Sequence, residues 1–263
     1  MPMRAIWKGT IGFGLVSIPV RMYNATVETT PKLHMVHAEC GTRIQLQRYC
    51  PHCQRVIDWK DVKSGYEYSK GQLVVLEEEE LESLPLRTLK SIDIEEFIDA
   101  AQLDPRAYGD SYYLSPEESG TKPFWLLLKA MEATGLVGIG KLGYRQREHL
   151  AVIRPIHSTL LLQTLHYAEG IRSPEEIRSA EIPVSEKELS LAVSLINTLK
   201  NERFDLAKYR DQYGEALNRL IEAKLAGVPV PTAEPVAEGG VLDLVESLVA
   251  SIEATRERKG QDA

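Results

Sequence analysis

The chain has 263 residues, of which 43% are hydrophobic and 26% are charged, as in an ordinary globular protein. No apolar run reaches the roughly 20 residues that a membrane-spanning helix needs, and the first residues lack the apolar core of a secretion signal. These features argue against a membrane or secreted protein, and we expect a cytoplasmic one.

The net charge of −7 is distributed unevenly along the chain. Residues 1–60 carry eight basic and three acidic side chains, and residues 121–172 carry seven and three. Residues 72–120, by contrast, carry three basic and thirteen acidic side chains. Since a ligand responds to the local field, the acidic total does not exclude nucleic acid. The two basic blocks either line one surface or are chance clusters of solvated charge.

Two short strands are predicted between residues 4 and 23, where apolar side chains alternate with small or polar ones. Pro19 suits an edge strand or a bulge. Gly12-Phe13-Gly14 is not a nucleotide-binding loop, because neither a helical pattern nor Lys-Ser/Thr follows it. These glycines indicate tight packing in a curved sheet or a barrel, and we expect no nucleotide cofactor.

The sharpest local motif lies between residues 34 and 57. Cys50-Pro51-His52-Cys53 is a C-x-x-C turn that can place two thiolates on one metal ion, and Cys40 lies ten residues upstream. We predict a structural zinc ion with four ligands, which are His37, Cys40, Cys50 and Cys53. His34 and His52 are alternative fourth ligands, and reduced cysteines without a metal are the other interpretation.

The acidic block, residues 72–120, mixes short strands with turns. Residues 72–76 and 91–103 predict strands, and the run Glu77–Glu80 predicts the start of a helix, because acids favour a helix N-terminus. Asp104-Pro105 ends the second strand. The spacing of the acidic side chains is typical of a solvated face, so we predict no catalytic carboxylate here.

Residues 123–156 predict a helix followed by two strands. Pro123 suits the first turn of a helix and Gly135 a left-handed cap at its end. Glycines then alternate with apolar residues from 137 to 143, which indicates a place where another backbone comes close. The apolar run 150–156 predicts a buried strand. The apolar residues at helical spacing are Phe124, Trp125, Leu127, Leu128 and Met131.

Two helices are predicted in the next part of the chain. Ser185-x-x-Glu188 is a capping box that begins a helix through Lys200, and a further helix is expected from about Asp205 to Leu225. The apolar face of the first consists of Leu189, Val193, Ile196 and Leu199. The face of the second consists of Tyr209, Tyr213, Leu217, Leu220 and Ile221.

Proline and glycine make residues 227–240 a predicted linker, and residues 241–263 predict a last amphipathic helix. This helix is too short to form a core alone, so its apolar stripe needs another surface. That surface is either an external partner, which we favour because the linker gives the helix reach, or the chain's own core. The stripe consists of Val241, Leu244, Val245, Leu248, Val249 and Ile252.

Three stretches resemble the bacterial Ku family, the homodimeric DNA-end-binding proteins of non-homologous end joining. They are RAIWKGTIGFGLVSIPV at 4–20, LVGIGKLGYRQREHLAVIR at 136–154 and the C-terminal tail. The likeness covers essentially the whole chain. Some members carry a long Lys-rich tail, whereas this tail has only Arg256, Arg258 and Lys259, which argues against tail-mediated binding along internal DNA. The zinc prediction rests on the cysteine spacing, since not every member has three cysteines.

The resemblance implies an α+β fold with an antiparallel β-barrel core, a bridge loop that encircles DNA, a helical dimerisation arm and a short C-terminal helix. Two subunits would form a ring that threads onto a duplex end and recruits an ATP-dependent repair ligase of the ligase D type. The implied domains are a core at 1–226, a linker at 227–240 and a ligase-interacting helix at 241–263. Within the core we expect a zinc-knuckle-like insert at about 34–57, the bridge within about 105–155 and the arm at about 185–225.

A ring that ignores sequence contacts phosphate and sugar, which requires Lys and Arg on a rigid surface. We therefore predict DNA contacts from Lys8, Arg21, Arg43, Arg48, Lys122, Lys129, Lys141, Arg145, Arg147 and Arg154, each of which has a salt-bridge or surface role as its alternative. Such a protein would work at the nucleoid and would not be an enzyme. Two other functions stay open, namely an adaptor acting through the C-terminal helix alone and a zinc-dependent enzyme.

Overall fold

The computed structural model describes residues 3–84, 90–145, 147–177, 179–180, 182–229 and 244–261. Its strands are β1 Trp7–Phe13, β2 Val16–Asn24, β3 Tyr49–Cys50, β4 Arg55–Val56, β5 Ser64–Ser69, β6 Gln72–Leu76, β7 Ser91–Asp99, β8 Tyr108–Pro116, β9 Leu136–Tyr144, β10 Arg147–Ile156 and β11 Thr159–Leu165. Its α-helices are α1 Glu78–Glu82, α2 Thr121–Thr134, α3 Glu186–Leu199, α4 Gln212–Ala226 and α5 Leu244–Gln261. The chain divides into a barrel unit, Met1–Glu28 with His34–Ser173, and a helical unit, Thr29–Leu33 with Pro174–Ala263.

Seven strands of the barrel unit form a closed barrel in the order β1-β2-β8-β11-β10-β9-β7. The predicted barrel is confirmed, and its neighbours are antiparallel except for β1 and β7, which pair in parallel. Alternate residues of a strand point to opposite faces, so each strand sends one set of apolar side chains inward. The seven strands contribute to one buried cluster through Ile11, Val20, Ile92, Leu114, Leu142, Ile153 and Leu162.

Helix α2 adds its apolar face to the same cluster. Its buried side chains are Phe124, Leu127, Leu128 and Met131, as the helical spacing predicts. Trp125 was expected on this face but is 40% exposed. The helix ends at Gly135, whose φ of +71° is the left-handed cap predicted from the sequence.

Strand β9 carries its glycines where it lies against β7. A Cβ atom at Gly140 would lie only 2.3 Å from the carbonyl oxygen of Asp93 on β7. The register of β7 and β9 also shifts between Ile94 and Glu96, which is the irregularity of a bulge. The predicted close approach of a second backbone is therefore confirmed.

The longest connection between two consecutive strands of the barrel is the insert, residues 25–90, which joins β2 to β7. It contains the hairpins β3–β4 and β5–β6 and the short helix α1, and no residue between 25 and 84 whose burial is described is buried. The bridge loop was expected within about 105–155. That segment forms β8, α2, β9 and β10, because its apolar residues fill the barrel and leave no long loop there.

The helical unit confirms one predicted helix and corrects the other. The capping box is present at the start of α3, where the Ser185 N–H donates to Glu188 Oε2 at 2.8 Å and the Glu188 N–H donates to Ser185 Oγ at 3.3 Å. Helix α4 begins at Gln212, not at about Asp205, because Asp211 caps it by accepting the Gly214 N–H at 2.9 Å. In the described part of the chain, no helix is long and apolar enough to cross a membrane.

Candidate nucleic-acid interface

The hairpin of β9 and β10 carries three of the predicted DNA contacts, Lys141, Arg145 and Arg147. Arg147 pairs with Tyr144 at the end of the hairpin, and Arg145 lies in the connecting turn with a left-handed φ of +53°. The Arg145 guanidinium lies 4.9 Å from the centre of the Tyr144 ring. Arg145 and Arg147 are both exposed, and neither forms an ion pair within the residues that the structure describes. The tip of this hairpin therefore presents two cations to solvent.

Lys141 lies further along the same hairpin and is partly neutralised. Its Nζ is 3.2 Å from a carboxylate oxygen of Glu148 and 3.7 Å from one of Glu95 on β7. The hydrogen bond from Lys141 to Glu148 raises the pKa of the lysine. Lys141 thus keeps its charge, but two carboxylates share it.

Arg154, near the far end of β10, is partly buried. Its Nη2 donates to the Tyr108 hydroxyl at 2.6 Å, and its guanidinium lies 5.2 Å from the centre of the same ring. Its Nε is buried and finds no partner among the described residues. These contacts give Arg154 a structural role in the barrel wall.

Lys8 and Arg21 face each other across β1 and β2, as their register shows. Lys8 Nζ lies 3.9 Å from Glu117 Oε1, and Arg21 Nε donates to the same oxygen at 2.9 Å. The hydrogen bond to Glu117 raises the pKa of Arg21. Two cations share one carboxylate here, so this pair retains one net positive charge.

Helix α2 exposes Lys122 in its first turn and Lys129 near its middle. Lys129 Nζ donates to Glu132 at 2.6 Å, whereas Lys122 has no ion pair among the residues described.

The insert carries two of the predicted DNA contacts, Arg43 and Arg48. Arg43 stands opposite Val36 in an isolated β-bridge. The ten predicted contacts thus fall on two hairpins, one helix and the insert.

The insert also holds an aromatic partner for Arg48 that was not predicted from the sequence. The Arg48 guanidinium lies 4.0 Å from the centre of the Trp59 ring, and Trp59 is 69% exposed. Tyr66 and Tyr68 on β5 are exposed as well. The signal for this surface was available in the sequence, because three aromatic and three basic residues are interspersed between 59 and 70.

The four predicted zinc ligands form two separate pairs. His37 Nδ1 and Cys40 Sγ are 3.3 Å apart, and the Cys53 N–H donates to Cys50 Sγ at 3.5 Å. Hydrogen bonds from Thr42 and His37 lower the pKa of Cys40 to about 7, and the Cys53 N–H lowers that of Cys50. No three His, Cys, Asp or Glu side chains of the described residues are grouped so that they would hold a metal.

The predicted partner-binding stripe lies on α5, which packs against α3. Ile252 is buried, with 7% of its surface exposed, whereas Val249 is 39% exposed. Val245 and Leu248 are half-buried. Val241 and the side chain of Leu244 lie outside the described residues. Part of the stripe is therefore used within the chain, and part of it remains open.

The closed barrel, whose buried cluster includes the apolar face of α2, defines this chain as an α+β barrel protein. The chain belongs to the Ku family, because the family model described as the Ku70/Ku80 beta-barrel domain matches residues 12–191. Proteins named non-homologous end joining protein Ku are similar along almost the full length. The one from Archaeoglobus fulgidus is 42% identical over 256 residues, covering 97% of this chain and 100% of the relative.

Two further relatives of the same name come from bacteria. The protein from Desulfitobacterium hafniense is 41% identical over 261 residues, covering 99% of this chain and 91% of the relative. The protein from Bacillus subtilis is 35% identical over 260 residues, covering 97% of this chain and 83% of the relative. The match therefore includes the helical unit as well as the barrel.

Proposed function

We propose that this protein binds the ends of double-stranded DNA, independently of sequence, as a homodimeric ring in non-homologous end joining. The observation that carries the proposal is the pair of exposed cations, Arg145 and Arg147, at the tip of a hairpin anchored in a closed barrel. Cations on a rigid support suit phosphates, which are the same at every sequence. The names of the relatives supply the process, non-homologous end joining.

The insert is our candidate for the bridge over DNA, in place of residues 105–155. Between residues 29 and 76 it carries seven Lys or Arg and four Asp or Glu, and it exposes Trp59, Tyr66 and Tyr68. A two-stranded hairpin such as β5–β6 is only marginally stable when both faces meet water. The exposed side chains on both of its strands therefore favour a covered position in the assembled ring.

The helical unit is our candidate for the dimerisation arm. The face of α3 formed by Leu189, Val193, Ile196 and Leu199 is exposed, although α5 covers the other side of that helix. An exposed apolar stripe of this kind marks an interaction surface. A second copy of the chain suits this face of α3, because in a two-fold dimer the same surface of both subunits forms the interface.

End selection by a ring requires no bond to be made or broken, so we propose that the protein is not an enzyme. A closed ring can encircle a duplex only where the duplex terminates. The joining chemistry would come from an ATP-dependent repair ligase of the ligase D type, recruited through the open part of α5. The protein would act on chromosomal DNA at the nucleoid.

The decisive experiment compares linear duplex with covalently closed circular duplex of the same sequence at two salt concentrations. We expect binding to the linear form only, weakened steeply as salt rises, because phosphate contacts release counterions. Equal binding to both forms would exclude threading. Binding to neither would leave the adaptor function through α5 as the alternative.

Ligase recruitment is tested by Val249→Glu, which places a charge on the open side of α5 without removing Ile252 from its buried position. We expect ligase stimulation to be lost while binding to duplex ends is unchanged. Ala254→Glu, an equal change at another exposed position of the helix, is the matched control. Full stimulation with the Val249 variant would assign recruitment to another surface.

A further inference from the structure

Arg145, at the tip of the β9–β10 hairpin, has a backbone conformation that residues other than glycine rarely adopt. Its φ of +53° lies in the left-handed region, which is unfavourable for a side chain with a Cβ atom. Backbone strain of this kind persists only where the surrounding contacts hold it, and such residues cluster at binding sites. The contacts that hold Arg145 therefore bear on what it does.

The aromatic ring of Tyr144 lies beneath the Arg145 guanidinium and is itself packed on other rings. The guanidinium is 4.9 Å from the ring centre, within the range of a cation–π contact. The Tyr144 ring meets the Tyr112 ring edge to face at a centroid distance of 6.2 Å, and it lies 6.4 Å from the His149 ring. Because Tyr112 is buried in the barrel cluster, the Tyr144 ring is anchored to the core.

The backbone next to this ring is fastened by side chains of two other strands. His149 Nε2, on β10, donates to the Tyr144 carbonyl at 3.3 Å. Trp7 Nε1, on β1, donates to the Gly143 carbonyl at 3.0 Å. The end of β9 is thus tied to its neighbours on both the main-chain and the side-chain level, so the Tyr144 ring forms a fixed support for the longer side chain of Arg145.

A guanidinium that lies over a ring keeps its N–H donors free, because they point outward in its own plane. Arg145 is exposed, and no carboxylate among the described residues forms an ion pair with it. Arg154 makes the opposite use of a tyrosine, since its guanidinium lies 5.2 Å from the Tyr108 ring but donates to the Tyr108 hydroxyl at 2.6 Å. The pair at the hairpin tip therefore leaves its donors open to an incoming anion.

We propose that Tyr144 is a positioning residue, which fixes the plane of the Arg145 guanidinium for a phosphate of the DNA backbone before the DNA arrives. This inference rests on the proposed binding of duplex ends. A planar guanidinium donates two parallel N–H bonds to a phosphate, so a fixed plane favours this anion. An arginine that is already stacked also loses less rotamer freedom when it binds.

The test is a double-mutant cycle on the affinity for linear duplex. We expect Tyr144→Leu, which removes the ring, to weaken binding about two- to fivefold for each subunit, the range of an exposed cation–π contact. Tyr144→Phe keeps the ring and should bind within about a factor of two of the unmodified protein. In an Arg145→Ala background, Tyr144→Leu should cause no further loss. In a Lys122→Ala background it should cause the full loss, because Lys122 lies on α2 and does not contact the ring.

The cycle separates this inference from the proposed function. Equal weakening by Tyr144→Leu with and without Arg145 would show that the ring only maintains the hairpin, and it would overturn the inference while end binding stands. Normal binding by Tyr144→Leu, or by Arg145→Ala, would overturn it as well. Failure of the unmodified protein to bind linear duplex would overturn the proposed function and this inference together.

Discussion

Gly140 shows how one residue permits the barrel to close between β7 and β9. An added Cβ would meet the Asp93 carbonyl oxygen at 2.3 Å, and this neighbour is backbone that cannot rotate away. We expect Gly140→Ala to destabilise the protein by about 1–3 kcal/mol, the usual cost of overpacking. Thermal unfolding followed by circular dichroism measures it. Gly170→Ala, where no atom lies within 4 Å of the new Cβ, should unfold at nearly the original temperature.

Arg145 carries a positive charge that no carboxylate among the described residues shares. We expect Arg145→Ala to reduce the slope of log affinity against log salt for linear duplex by roughly one, the effect of losing one phosphate contact. Arg219→Ala is the control, since Arg219 is an exposed arginine in the helical unit that pairs with Glu215 at 3.5 Å. An unchanged slope for the Arg145 variant would remove this residue from the interface.

Residue contacts across the barrel are the part of the site that the sequence could not predict. Lys141, Arg154 and Arg145 all belong to the same basic block and looked equivalent. Closing the barrel brings Glu95 beside Lys141, and it brings Tyr108 beside Arg154 across a separation of 46 residues. Such partners depend on the strand order, which local periodicity does not encode.

Single elements, by contrast, were well predicted where a strong period governs them. Helix α2 and the strands β1, β2, β9 and β10 follow the pattern of their apolar residues and glycines. The insert was only partly foreseen, because short hairpins without a buried face leave little periodic signal. The resemblance to a family implied a bridge within about 105–155, where the structure has β8, α2, β9 and β10.

Helix α2 offers a direct test of which face stabilises the barrel. Leu128 is fully buried in the cluster, whereas Leu126, on the same helix, is 66% exposed. We expect Leu128→Ala to lower the free energy of unfolding by about 2–5 kcal/mol through lost burial and the cavity left behind. Leu126→Ala should change it by less than about 0.5 kcal/mol. Urea denaturation gives both values, and similar losses for the two variants would contradict the assigned face.

At the scale of the whole molecule, an acidic protein binds a polyanion only if its cations are concentrated where the ligand lies. The net charge is −7, yet the barrel unit exposes Arg145 and Arg147 on one hairpin and Lys8 with Arg21 on another. A closed ring would add to these contacts, because a protein that encircles the duplex can dissociate from it only by sliding off a DNA end. The proposed ring depends in turn on the dimer contact that we propose for the helical unit.

Val193→Asp tests this dependence, because it places a charge in the exposed apolar face of α3. We expect the protein to become monomeric in sedimentation experiments and to bind linear duplex roughly a hundredfold more weakly, since the two chains no longer act together. Ser190→Asp adds the same charge at another exposed position of the helix and should leave both properties unchanged. A monomer that still binds ends with full affinity would show that one chain suffices, so that the cations of a single barrel, and not a closed ring, hold the DNA.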